Sequence, residues 1–327
     1  MAVTSDKLYA RMDAVRPDAA SGGYYSASFH AMGTACRVIY SANRPAAAEQ
    51  FRKALLRWLA EFEAQYSRYL EDSLISEINR SAGAGWVDID EELESMFQLC
   101  DWYHWRTDGI FDPSTLPLIK LWDYQAERPV VPDDASIRSA VSLVNWRMVQ
   151  RERGKVMLPH EGMAIDIGGI GKEYAVDRVM AMAQDRGVRD ILIDFGQDLR
   201  CYGSPPEGGA WRIGLEHPQD PGKCWTGVSL DDRAVATSGD YHRHFELGGK
   251  RYGHILDPRT GYPVNHDGQA VSVIAPTCTE AGILATTAFV LGPFEGLAFL
   301  ESCHQAEASV WAGKHQTQTG RFSRYVL

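Results

Sequence analysis

Long apolar runs are missing from this chain. None approaches the roughly 18 residues a helix needs to cross a bilayer, so no membrane-spanning helix is expected. A surplus of positive charge is missing too. Lys and Arg number 33 against 43 Asp and Glu, a formal net charge of −10. Nucleic-acid binders carry a basic face, so this balance disfavours that class. Paired cysteines are lacking: Cys36, Cys100, Cys201, Cys224, Cys278 and Cys303 are widely spread with no CxxC pair. That pattern speaks against a disulfide frame or a zinc site and for reduced, mostly structural thiols in the cytoplasm. The first 16 residues scatter Asp6, Lys7, Arg11 and Asp13 where a secretory leader would run from charged to apolar. No signal peptide is expected. Internal repeats, low-complexity tracts and Pro/Gly/Ser linkers are absent as well. What remains is 327 residues, 45% hydrophobic and 23% charged, which is an ordered globular chain with a sizeable core.

Residues 1–24 are small, polar and aperiodic and read as a loosely ordered arm, leaving 25–327 as one domain. Phe29 to Tyr40 reads as an early strand. Phe51, Leu55, Trp58, Leu59 and Phe62 recur at helical spacing and predict a helix from Ala46 to about Ser67. Further helices are predicted over Glu91–Thr107, Gly171–Gly187 and Glu280–Leu291, with a short one near Phe294 to Cys303. Strands are predicted over Ile191–Phe195, Trp211–Leu215, Val228–Leu230, Arg233–Ala236 and Val271–Ile274. Helices and strands mix without regular βα repeats, so the fold class is α+β.

Four segments carry possible chemistry. Ile165-Asp166-Ile167-Gly168-Gly169-Ile170-Gly171-Lys172 lies between a strand and a helix. Such glycines let backbone N–H groups approach a phosphate, and the helix N-terminus and Lys172 add positive charge. A dinucleotide fold with Asp194 on the ribose fits poorly, because the spacing is GxGxxY and no second βαβ unit follows. A glycine turn used only for packing is the other reading. Thr237-Ser238-Gly239-Asp240-Tyr241 and the stretch from Tyr252 to Gly261 look like a hairpin joined near Gly248-Gly249. His254 there is an acid/base candidate beside Asp257 and Arg259, or a surface histidine next to an Asx-type turn. Gly109-Ile110-Phe111-Asp112-Pro113 gives a helix stop, with either a ligand contact or a plain turn acid. Thr277-Cys278-Thr279-Glu280 forms a capping box for a helix on which residues 282 and 286 share a face.

Taken together and in order, these segments resemble the ApbE family, the FAD:protein FMN transferases. The resemblance runs from Met32-Gly33-Thr34 through Ser67-Arg68-Tyr69-Leu70-Glu71-Asp72-Ser73 and Ile78-Asn79. It continues through Gly109-Ile110-Phe111-Asp112-Pro113, Leu121-Trp122 and Asp166 to Lys172. It ends with Thr237 to Tyr241, His254 to Gly261, and Ala285-Thr286 before Phe289-Val290-Leu291-Gly292. It implies a Mg²⁺-dependent reaction in which a threonine hydroxyl of an acceptor protein with an FMN-binding domain attacks the FMN-side phosphorus of FAD, releasing AMP. By position it implies FAD contacts at Met32, Tyr69, Ile110, Phe111, Asp112, Asp166, Lys172 and Ile255. It implies His254 as base with Asp257 orienting it, and the metal on the Gly169 carbonyl and the Thr286 side chain.

The chain departs from the family at several positions. Gly282 stands where the family usually has an Asp ligand one turn before Thr286. Glu280 is a poor substitute, about 200° around the helix. Glu173 stands where the family usually has glycine and could return the lost charge. Phe195-Gly196-Gln197-Asp198 carries Gln197 in place of a second glycine. Many family members are exported, whereas this chain is expected in the cytoplasm. The alternative function is an FAD-binding or flavoprotein-assembly protein whose transfer is weakened by Gly282, and FAD hydrolysis is a variant in which water replaces threonine.

Overall fold

The computed structural model describes residues 3–14, 18–19, 21–124, 126–239, 244–266 and 269–327. Among them, nine strands join in one sheet in the order Asp18–Ala19, Tyr24–Ala31, Thr34–Ser41, Ile191–Phe195, Asp198–Tyr202, Arg233–Gly239, Ala270–Ala275, Glu307–Ala312 and His315–Gln318. That is also their order in the chain, and every neighbour pairs antiparallel. The sheet is one long meander, and its connections carry the other elements. Helix α1 (Ser5–Asp13) precedes it. Between Ser41 and Ile191 come α2 (Pro45–Tyr66), α3 (Leu74–Arg80), α4 (Glu91–Arg106), α5 (Leu116–Trp122), α6 (Asp134–Val141) and α7 (Gly171–Asp185). Between Ala275 and Glu307 come α8 (Cys278–Leu291) and α9 (Pro293–Glu301). The class is α+β, as expected.

Strand alternation sorts residues between two cores. On Arg233–Gly239, Ala234 and Ala236 join the main core, while Val235 joins Leu199, Cys201, Ile274 and Phe322 in a second cluster. The hairpin Trp211–His217 with Asp220–Leu230 supplies Trp211, Leu215, Val228 and Leu230 to that second cluster. Ala270–Ala275 is buried at every position, because both its faces are covered. In α2 the apolar stripe Phe51, Leu55, Leu59 and Phe62 is buried, and Pro45 opens the helix. Asp90 caps α4 by accepting from Leu93 N at 2.8 Å. Thr277 caps α8 by accepting from Glu280 N at 3.2 Å, and α8 is buried nearly all round.

Several expectations needed correction. The stretch Phe29 to Tyr40 is not one strand but a hairpin turning at Met32-Gly33, whose φ values are 50° and 72°. Positive φ at both central residues gives the turn that matches strand twist, but Met hides the usual Asn-Gly signature. The first 24 residues contain α1, which packs on α2 with Leu8 and Met12 buried. Asp13 and Asp6 receive Arg52 and Arg57 of α2, each at 2.6 Å. Two apolar residues four apart make too short a stripe to stand out in the sequence. Helices α3, α5 and α6, the strand Asp198–Tyr202 and the two C-terminal strands also went unpredicted. The turn at Gly248-Gly249 is present, but it joins His244–Leu247 to Lys250–Gly253 rather than the Thr237 segment to the His254 segment; Thr237–Gly239 pairs instead with Ala270–Ser272 in the large sheet.

Candidate functional site

The glycine segment lies where three expected motifs meet. Asp166 N donates to Pro113 O at 2.8 Å, tying the segment to Gly109–Pro113. Asp166 accepts from Gly168 N at 2.8 Å through Oδ1 and holds Arg68 Nε at 2.8 Å through Oδ2. Asn79 brackets Ile165, accepting from its N–H at 2.7 Å and donating to its carbonyl at 2.9 Å. A Cβ on Gly169 would sit 3.8 Å from the Phe111 ring. The loop then enters α7 through Gly171 N, which donates to Ile167 O at 2.6 Å.

Arg68 lies over the Tyr69 ring, 4.2 Å from its centroid. Tyr69 is 70% exposed, so the rest of its ring is open to a flat ligand. Met32 is half-buried, and its N–H donates to Glu63 Oε2 at 2.9 Å. Phe111 and Ile255 are half-buried against the main core. Ile110 and Asp112 are both buried, Ile110 in the core. Asp112 is buried and accepts from Ser114 N at 2.7 Å and from Trp146 N at 3.0 Å, one oxygen each. Its carboxylate shapes the turn from within.

Behind the loop lies a buried charged cluster. Lys172 Nζ pairs with Asp198 and lies 3.5 Å from Glu173 Oε1. Burial works against the Lys172 charge, but Glu173 and Asp198 outweigh it and hold its pKa above the usual value. Burial raises the Glu173 carboxyl, and the nearby Lys172 opposes that rise. Glu173 Oε2 is buried with no hydrogen-bond partner. Gly282 of α8 faces it: a Cβ there would lie 2.7 Å from Glu173 Cγ and 3.2 Å from Oε1. Four residues on, Thr286 is exposed, and its hydroxyl bonds Ser238 Oγ at 2.8 Å.

The Gly169 carbonyl, the Thr286 hydroxyl and the Glu173 carboxylate are each oxygen donors of the type a hard divalent cation takes. The orphaned Oε2 is the observation that fits such an ion. Among the described residues no cluster of three or more His, Cys, Asp or Glu could hold a metal. An ion held here would rely on neutral oxygens beside one carboxylate.

His254 follows the strand Lys250–Gly253, with its ring 5.8 Å from that of Tyr124. Asp257 does not simply orient it. Both its oxygens hold Arg259, Oδ1 on Nε and Oδ2 on Nη2, each at 2.9 Å. Its backbone carbonyl accepts from Gly261 N at 2.8 Å, so Asp257 anchors the turn. Gly261 O accepts from Trp122 Nε1 at 2.8 Å, joining the Leu121-Trp122 motif to this turn. A recess of about 250 Å³ has Asp112, Pro258 and Arg259 in its wall, placing the turn beside Gly109–Pro113. Asp240 and Tyr241 lie outside the described residues.

Asp177 was not foreseen. It accepts from Cys278 N and Thr279 N, each at 2.9 Å, and from Arg200 Nη1 at 2.8 Å. Glu173 and Asp177 are four apart and share the face of α7 that meets α8. That spacing was the available signal. Glu63 was missed because it lies on a helix remote in sequence from Met32.

The model of the ApbE family matches residues 32–310. A curated FAD:protein FMN transferase of Treponema pallidum is 32% identical over 293 residues, covering 84% of this chain and 81% of that protein. One from Klebsiella pneumoniae is 32% identical, covering 72% and 74%. The crystal structure of an ApbE protein from Thermotoga maritima superposes with a TM-score of 0.85 at 29% identity, covering 92% of this chain and 99% of that one. The flavinyl transferase ApbE of Pseudomonas stutzeri, in its apo form, gives 0.83 at 27% identity, covering 96% and 98%.

Proposed function

This chain belongs to the ApbE family, and on that premise we propose that it is an FAD:protein FMN transferase. The observation that carries the proposal is the meeting of the exposed Tyr69 ring, the Arg68–Asp166 pair and the glycine loop at the start of α7. A planar ring system stacks on Tyr69. The linked pyrophosphate then falls at the loop, where α7 presents its N-terminal N–H groups and Lys172 adds a full charge.

The acceptor's threonine oxygen forms a bond to the FMN-side phosphorus, and the bond from that phosphorus to the AMP oxygen breaks. AMP leaves with the electron pair, and FMN remains on the acceptor as a phosphoester. His254 takes the threonine proton. Lys172 neutralises charge on the transferred phosphate. The Gly169 carbonyl, Thr286 and a carboxylate would hold Mg²⁺, which would supply further positive charge for the pyrophosphate. Met32, Phe111 and Ile255 border the flavin, and Asp166 acts through Arg68. The acceptor is a protein with an FMN-binding domain. We assign the reaction to the cytoplasm, where reducing conditions suit six free cysteines.

The test uses purified chain, FAD, Mg²⁺ and a candidate acceptor. An acceptor mass increased by one FMN, abolished by EDTA, is the expected result. FAD bound without any gain in acceptor mass would instead support a flavin-binding or assembly role.

A further inference from the structure

The slot opposite Gly282 is already filled from the other helix. Helices α7 and α8 pack with Glu173 against Gly282 and Asp177 against Cys278-Thr279. A side chain on residue 282 would collide with Glu173, since even its Cβ would lie 2.7 Å from Glu173 Cγ. The two positions thus compete for one volume. Glycine at 282 leaves that volume to a carboxylate that starts on α7.

Glu173 is only 8% exposed. One oxygen, Oε1, lies 3.5 Å from Lys172 Nζ, and the other, Oε2, is buried with no partner. An unpaired carboxylate oxygen in that setting carries a full desolvation penalty. A cation removes it. Thr286, one turn beyond Gly282 on the same face of α8, adds an exposed hydroxyl.

We infer that Glu173 is the acidic ligand of a divalent, oxygen-seeking cation in this chain, supplying from α7 the carboxylate that residue 282 of α8 does not. The inference rests on reading this site as a metal-assisted transferase. It makes the paired presence of Glu173 and Gly282 a relocation of one carboxylate rather than a loss. In the competing arrangement no cation is bound, and Glu173 is satisfied by Lys172 and the adjacent Asp198.

Mn²⁺ titrated into the FAD-free full chain, followed by loss of the free-ion EPR signal, separates the two. Glu173→Gln keeps the shape and removes the charge. It should weaken Mn²⁺ binding at least about tenfold. The double variant Glu173→Gly with Gly282→Asp, which frees the volume and fills it from α8, should regain most of that affinity. Thermal unfolding of each variant confirms that folded protein is compared. Unchanged Mn²⁺ affinity in Glu173→Gln, or no Mn²⁺ binding by the wild-type chain, overturns the inference. FMN transfer measured alongside keeps the two readings apart. Transfer by the wild type with Glu173-independent Mn²⁺ binding rejects only the role of Glu173. Glu173-dependent binding without transfer rejects only the transferase.

Discussion

In the proposed reaction His254 serves the chemistry and Tyr69 the binding, and each role makes a separable prediction. Replacing His254 with Ala removes the proton acceptor and leaves the ring-stacking surface intact. Transfer should slow by about 10²–10⁴-fold, with FAD affinity nearly unchanged in a fluorescence titration. An unchanged rate would remove His254 from the mechanism. Tyr69→Ala should do the reverse, weakening FAD binding by roughly 1 kcal/mol, about five- to tenfold. Equal FAD affinity in this variant would show that the exposed ring is not the flavin platform. The residue types of the site were legible, since glycines before a helix, a lysine at its start and a histidine near an Asp-Pro turn each carry local chemistry. Which way each side chain points was not. Asp112 and Asp257 look alike in sequence, as turn acids beside proline. One is turned inward onto Ser114 and Trp146, and the other holds Arg259.

Among the elements, the α7–α8 pair decides where the carboxylates go. Asp177 joins the N-terminus of α8 to α7 and to Arg200, with a side chain only 16% exposed. Asp177→Ala leaves two helix N–H groups and a guanidinium without their acceptor. It should cost roughly 2 kcal/mol or more in urea unfolding, and an unchanged midpoint would show that α8 is held by its apolar packing alone. Long helices such as α2 and α4 were readable because their apolar stripes span several turns. The contact between Glu173 and Gly282 was not, because it joins residues far apart in sequence through the packing of two helices. The turn at Met32-Gly33 was hidden for another reason. Its backbone conformation is imposed by strand pairing on a residue that rarely adopts it.

Across the whole molecule, the meander sets the site. Excursions from one antiparallel sheet bring Arg68 to the glycine loop and α8 to α7, and neither contact is local. The α+β class followed from the mixture of periods, but the nine-strand order did not, since antiparallel strands can pair at any separation. Helix α1 is part of this assembly. Met12 is 1% exposed against α2. Met12→Ala should destabilise the chain by about 2–4 kcal/mol in the same urea assay; a shift below about 0.5 kcal/mol would restore the picture of a loose arm.

The most direct test of the central claim counts both products at once. With FAD and Mg²⁺, AMP in solution and FMN on the acceptor should rise together, one for one, and both should stop when the acceptor's threonine is replaced by alanine. AMP release that continues without flavinylated acceptor would make the protein a hydrolase, and FAD bound with neither product formed would contradict the account outright.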